Sequence, residues 1–194
     1  MSTTRTCDHC HGEIHWATRA DALYCSTRCR VAAHRAKASR IPPELLERPR
    51  WIRHERKRPI TVTGRPASST DPSTWSPYPD VIHSKAGDGP GFVLDGDGIV
   101  CIDLDHCIEG DRLAPWADEI LTGANDTYIE LSPSGTGLHI WGYADVPRGR
   151  VLHRDSGQVE IYGRSRYMTV TGSRFGQAPS HLGDLTPLVT QLLS

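Results

Sequence analysis

The alternation of apolar and polar positions is clearest from Ile99 to Cys107, which reads Ile-Val-Cys-Ile-Asp-Leu-Asp-His-Cys. Alternate side chains of an extended strand share a face. The spacing therefore predicts a strand with Asp103 and Asp105 on one side and Ile102 and Leu104 on the other. Gly91-Phe92-Val93-Leu94 predicts the preceding strand, and Asp95-Gly96-Asp97-Gly98 has the chemistry of a hairpin turn between them. Thr127 to Leu131, the residues from Leu138 to Trp141, Val159 to Tyr162, and Arg166 to Val170 predict further strands. Within them, His139 faces away from Leu138 and Ile140, and Glu160 faces away from Val159 and Ile161. Helices are expected over Arg28 to Arg40, where four alanines recur, over Pro115 to Leu121, and over Asp184 to Leu193. A polar loop from Ser69 to Trp75 leads into a short helix with Asp71 or Ser73 as its N-cap.

The N-terminal pattern is different. Cys7-x-x-Cys10 and Cys25-x-x-x-Cys29 place two thiol pairs 14 residues apart, the spacing of a small zinc module. His9, His11 and His15 lie nearby, but four thiols already complete a tetrahedral site. Gly12 to Trp16 predicts a short hairpin between the pairs. Residues 26 to 40 hold five Lys+Arg (Arg28, Arg30, Arg35, Lys37, Arg40) and no acid. Ser39 to Pro43 has the chemistry of a linker, because paired prolines break helices. The expected division is a zinc-binding module over 1–40, a linker over 41–48 and a second domain over 49–194.

Charge sharpens this division. Residues 1–58 carry 13 Lys+Arg and 6 Asp+Glu, a net +7; residues 59–194 carry 9 and 17, a net −8. A basic head on an acidic body points to a polyanion partner for the head. With 194 residues, 37% hydrophobic and 23% charged, the chain suits a soluble globular protein. It has no apolar run long enough to span a bilayer, and its N-terminus does not resemble a signal peptide, so a cytoplasmic setting without membrane contact is expected.

Carboxylates on one face of an apolar strand are costly to bury unless something neutralises them, and a hard divalent cation does so. Asp103, Asp105 and Glu160 form a candidate cage for Mg²⁺ or Mn²⁺. The loop Ser132-Pro133-Ser134-Gly135-Thr136-Gly137 precedes His139, and such loops bring backbone N–H groups towards anions. Ser134, Gly135, Gly137 and His139 are the candidates for holding an anion such as phosphate, with Lys57 and Arg166 as further phosphate contacts. No Walker A sequence is present, which argues against an ATPase. Cys101 and Cys107 are expected to be buried thiols rather than ligands.

Taken together, Cys-Ile-Asp-Leu-Asp-His-Cys, Ser-Pro-Ser-Gly-Thr-Gly-Leu-His-Ile and Val-Glu-Ile-Tyr with Arg-Tyr-Met-Thr-Val-Thr-Gly resemble the bifunctional DNA primase–polymerase branch of the archaeo-eukaryotic primase superfamily, common in phages and plasmids. Arg-Trp-Ile, Lys-Arg-Pro and Thr-Asp-Pro-Ser-Thr-Trp also look like its N-terminal signature, so the likeness runs over roughly 49–175. It implies an α+β fold with an RRM-like catalytic core. The acidic first motif falls on Asp103 and Asp105, the second on Gly137 and His139, and the third on Val159 and Glu160. It further implies primer synthesis or extension by two-metal-ion nucleotidyl transfer. The partners would be a single-stranded DNA template, dNTP or NTP, and a replicative helicase in trans, in a bacterial or phage-infected cell. Many relatives fuse this domain to a helicase and a helical primase C-terminal region. Neither is seen here, so nucleotidyl transfer is better supported than de novo priming by this chain alone.

Two other classes stay open. A metal-dependent nuclease or rolling-circle initiator would call for a His-x-His pair and a nucleophilic tyrosine. Tyr162 and Tyr167 are present, but the only such pair, His9-Cys10-His11, lies in the zinc module. A non-catalytic zinc-ribbon DNA-binding protein would have no reason to keep three carboxylates together.

Overall fold

The computed structural model describes residues 5–8, 10, 12–15, 18–19, 21–38, 41–110, 112–154 and 156–194, with the backbone alone at 32 and 34–38. His9, His11, Trp16, Ser39 and Arg40 lie outside the described residues, as do the side chains of Arg35 and Lys37. The chain divides into two compact units, Met1–Arg40 and Ile41–Ser194.

In the first unit, the expected hairpin is reduced to one antiparallel bridge, Thr6 to Glu13. Helix α1 (Thr27–Ala38) carries no acid in its first turn. The Ser26 hydroxyl accepts from Cys29 N at 3.1 Å and caps its start.

The second unit begins earlier than the sequence pattern indicated. Residues 41–48 are not a linker. They form a packed turn, α2 (Pro43–Leu46), with Ile41 and Leu45 buried. A proline in the first helical turn starts a helix rather than breaking it, and Ile41 and Leu45 are spaced one turn apart. The Trp51 indole donates to Leu45 O at 3.0 Å, and Leu182 N donates to Glu44 Oε1 at 3.1 Å, pinning the segment to the unit's core.

The next elements are β1 (Trp51–Glu55), β2 (Arg58–Ile60), α3 (Tyr78–His83), β3 (Gly89–Asp95), β4 (Ile99–Asp105), β5 (Ile108–Glu109) and β6 (Arg112–Leu113). They are followed by α4 (Pro115–Thr122), β7 (Ile129–Leu131), β8 (Leu138–Tyr143), β9 (Arg150–His153) and β10 (Gln158–Tyr162). The chain closes with β11 (Arg164–Thr169), β12 (Gly183–Asp184) and α5 (Thr186–Leu193). The polar loop forms a 3₁₀ turn over Pro72–Thr74, and Asp71, not Ser73, caps it by accepting from Ser73 N at 3.0 Å.

The strands form two main sheets, so the fold is α+β. One is four-stranded, in the order β11-β3-β1-β2. The other is six-stranded, in the order β12-β8-β4-β10-β9, with β7 also paired to β8. Strand β4 runs antiparallel between β8 and β10. Its Val100, Ile102 and Leu104 are fully buried with Leu138, Ile140, Val159 and Ile161, beneath Ala117 and Ile120 of α4 and Leu188 and Val189 of α5. Burying each such large aliphatic side chain contributes roughly 1.5–3 kcal/mol. Because strand faces alternate, this packing turns Asp103 and Asp105 to the opposite face. There Phe92 of β3 meets Trp141 of β8 edge-on at 5.9 Å, joining the two sheets. Strand β11 pairs with β3, so the chain crosses from one sheet to the other at Gly163. Cys101 and Cys107 are buried, as the pattern indicated.

Candidate active site and metal centre

The second unit's site is a row across the six-stranded sheet. Glu160 of β10 is the cross-strand partner of Asp103, Asp103 is the partner of His139 on β8, and His139 is the partner of Glu130 on β7. Asp105 is paired with Gln158 one step along the strand. Asp105 lies within β4 rather than beyond its end, which fixes both aspartates to the same face.

Asp103, Asp105, His139 and Glu160 open onto a cleft of about 670 Å³. Asp103, Asp105, His139 and Glu160 line one side with Ser132 and Ser134, while Lys57, Arg56, His54, Arg166 and Tyr167 of the four-stranded sheet line the other. The sequence-derived candidates Asp103, Asp105, Glu160, His139, Ser134, Lys57 and Arg166 are therefore brought together. Gly135 and Gly137 do not line the cleft. Gly135 has φ +75°, and a Cβ on Gly137 would meet Leu104 O at 2.7 Å. The amide of Gly135 donates to Ser132 O at 3.0 Å and that of Gly137 to Ser132 Oγ at 3.1 Å. The two glycines let the loop turn and pack; their N–H groups are spent inside it rather than offered to an anion.

The carboxylates are unequally satisfied. Gln158 Nε2 donates to Glu160 Oε1 at 2.8 Å and to Asp105 Oδ2 at 3.3 Å. The Tyr162 hydroxyl donates to Glu160 Oε2 at 2.7 Å, and Arg166 reaches the same oxygen at 3.5 Å while stacking over the Tyr162 ring. Asp103 Oδ1, by contrast, is buried without a hydrogen-bond partner; His139 Nε2 stands 3.7 Å away, beyond hydrogen-bonding range. Burial pushes the Asp103 carboxyl up to about 6, with Asp105 and Glu160 adding to the rise and His139 opposing it. Burial alone would lower the His139 imidazole. The hydrogen bond with Glu130 and the charge of Asp103 reverse that and hold it above its ordinary value.

A buried, unpartnered oxygen beside two further carboxylates is the donor set a hard cation takes. Asp103, Asp105 and Glu160 are the residues that fit Mg²⁺ or Mn²⁺. Among the described residues, however, they do not close to within 4.8 Å of one another as the cysteines do. Gln158 bridges Asp105 and Glu160, while Tyr162 and Arg166 occupy the other oxygen of Glu160.

The cysteine cluster lies in the first unit. The sulfurs of Cys7, Cys10, Cys25 and Cys29 all lie within 4.8 Å of one another, with Cys10 to Cys25 at 3.6 Å and Cys25 to Cys29 at 3.5 Å. Four thiols at that spacing fit a tetrahedral zinc site.

Pattern reading missed Glu130, Gln158 and His54. Only Glu130 carried a signal: in Ile129-Glu130-Leu131 it alternates with apolar residues, as Glu160 does.

No protein-family profile matches the chain. It is 34% identical over 142 residues to a DNA primase-polymerase of Nitratiruptor phage NrS-1. The likeness is to a primase-polymerase. It covers 64% of this chain but only 19% of the phage protein, so the chain spans about a fifth of that protein's length. No helix among the described residues is long and apolar enough to cross a membrane.

Proposed function

We propose that this chain carries the nucleotidyl-transfer site of a DNA primase-polymerase, joining a dNTP or NTP to a 3′-hydroxyl on a single-stranded DNA template. The single observation that carries the reading is the Glu160–Asp103–His139 register, set in a cleft whose other side is cationic. The 34% identity to the phage primase-polymerase supports it independently. The strand order β10-β4-β8-β7 with α4 between β4 and β7 supports part of an RRM-like pattern, although β9 rather than a helix lies between β8 and β10.

In the reaction, the 3′-oxygen attacks the α-phosphorus, the bond to pyrophosphate breaks and the hydroxyl proton is lost. Mg²⁺ or Mn²⁺, when bound, neutralises the triphosphate and acidifies the hydroxyl. Asp103 and Asp105, with Glu160, are the residues to hold it. Lys57, Arg166 and His139 receive the triphosphate charge, and the Ser134 hydroxyl offers a hydrogen bond at the same side. Arg166 then exchanges Glu160 for phosphate, which leaves Glu160 Oε2 with the Tyr162 hydroxyl as its partner when the nucleotide enters. In the first unit, zinc held by the four cysteines would fix α1, and its arginines would contact template phosphates without reading bases.

The test is incorporation of a labelled nucleotide with Mg²⁺ or Mn²⁺, on primed and unprimed templates. Incorporation by the intact chain, lost in Asp103→Ala and Asp105→Ala and severely reduced in Glu160→Gln, is the expected result. No incorporation on a primed template with either metal would overturn the reading, and strand nicking in its place would move the site to the nuclease class.

A further inference from the structure

Glu130 is fully buried in the second unit, and the chemistry above does not use it. Burying a carboxylate is expensive unless polar groups surround it, and here they do so on both oxygens. Oε2 accepts from the Tyr128 hydroxyl at 2.9 Å, Thr171 N at 3.0 Å, Thr171 Oγ1 at 3.1 Å and Gly172 N at 2.8 Å. Oε1 accepts from the Trp141 indole at 3.4 Å and pairs with His139 Nδ1 at 3.3 Å. The division matters. Residues 171–172 follow β11, which carries Arg166 to Thr169 along the cationic side of the cleft, whereas His139 stands on the acidic side. One carboxylate therefore ties both sides together behind the cleft.

We propose that Glu130 is the positioning residue for His139. A carboxylate only accepts, so Nδ1 must donate to it. With Nδ1 fixed on Glu130, the ring is held so that Nε2 alone faces Asp103 and the cleft. Without Glu130, the imidazole is free to turn about its side-chain torsions, and the nitrogen that meets the nucleotide is no longer defined. This inference rests on the reading of His139 as a nucleotide contact.

The experiment is a double-mutant cycle on the full chain, reading equilibrium binding of dATP with Ca²⁺ in place of Mg²⁺. Glu130→Gln keeps one carbonyl oxygen for the donors at Oε2 and turns an amide NH₂ toward His139. It should weaken dATP binding on the order of tenfold, the weight of one charge-assisted hydrogen bond. His139→Ala should do the same, and the double variant should bind no more weakly than His139→Ala. Tyr128→Phe, which removes a donor from the other carboxylate oxygen, should leave dATP affinity unchanged. Independent losses that multiply in the double variant, or an equal loss in Tyr128→Phe, would reduce Glu130 to a packing role and overturn the inference. Wild-type affinity in Glu130→Gln alongside a weakened His139→Ala overturns this inference and spares the site reading; wild-type affinity in His139→Ala overturns both. Should Glu130→Gln not fold, the ¹⁵N spectrum of His139 in the unmodified chain decides: a protonated Nδ1 is expected, and a bare one refutes the arrangement.

Discussion

Asp103→Asn should make the metal-free protein more stable while ending its activity. Asp103 sits in a row of charges, its Oδ1 has no hydrogen-bond partner, and its carboxyl is raised to about 6, first by burial and then by Asp105 and Glu160. An ordinary aspartate titrates near 3.9. A group whose folded value exceeds its unfolded value contributes stability that is fully present below about pH 4 and is lost as pH climbs through about 6. The loss at neutral pH has a ceiling of about 3 kcal/mol, taking about 1.4 kcal/mol for each pH interval between the two values. For a unit of this size, about 3 kcal/mol corresponds to a Tm change of roughly 5–10 °C. The assay is calorimetry of wild type and Asp103→Asn in EDTA from pH 4 to pH 8. The two should coincide near pH 4, diverge in favour of the variant between about pH 4 and pH 6, and run parallel above pH 7. Mg²⁺ should raise the wild-type Tm and leave the variant unmoved, because a ligand stabilises only the state that binds it. A difference that is flat with pH, or a variant less stable at pH 7.5, would refute the argument from buried charge.

Removing residues 1–40 should leave primer extension intact at saturating template, weaken template binding, flatten its salt dependence and abolish zinc content; an unchanged salt slope would remove the DNA-gripping role from the basic head. Arg166→Ala should raise KM for the nucleotide several-fold, read from steady-state incorporation, since it takes the guanidinium from the cationic side of the cleft. Gly137→Ala should destabilise the second unit by about 1–3 kcal/mol in urea titration, because its Cβ would press on Leu104 O at 2.7 Å and Ser132 Oγ at 2.9 Å.

The acid-bearing face was legible because strand periodicity is local. Ile102, Asp103, Leu104 and Asp105 state their own sides, and Val159-Glu160-Ile161 does the same. What local pattern does not state is what covers a face. Glu130 follows the same alternation, yet an isolated glutamate in a strand reads as solvated. Its burial depends on Thr171 and Gly172, some forty residues away in sequence. The sheet to which Arg166 belongs was hidden for the same reason: β11 leaves β10 after one glycine and pairs with β3, which only tertiary packing decides. Pro42-Pro43 misled differently. The signal for a packed turn was present in the spacing of Ile41 and Leu45, but the breaker rule outweighed it.

The row itself explains why such a site tolerates its own repulsion. Side-chain exposure rises along it from Glu130 at 0% and His139 at 4% to Asp103 and Glu160 at 15%. Its outer end is Val151, the cross-strand neighbour of Glu160, at 47%. Charge at the inner end is fully met by protein donors, so it is fixed. Charge at the outer end is met only in part, by Gln158, Tyr162 and a half-exposed Arg166. On the proposed reading, the two adjacent carboxylates at that end, Asp103 and Glu160, are where a cation would complete the set. An apolar replacement at Asp103 would pack more favourably than the carboxylate does, and the stability forgone there is the usual mark of a functional site. Pre-arranged donors lose less to reorganisation when charge arrives, which is why the inner end of the row should be rigid and its outer end incomplete.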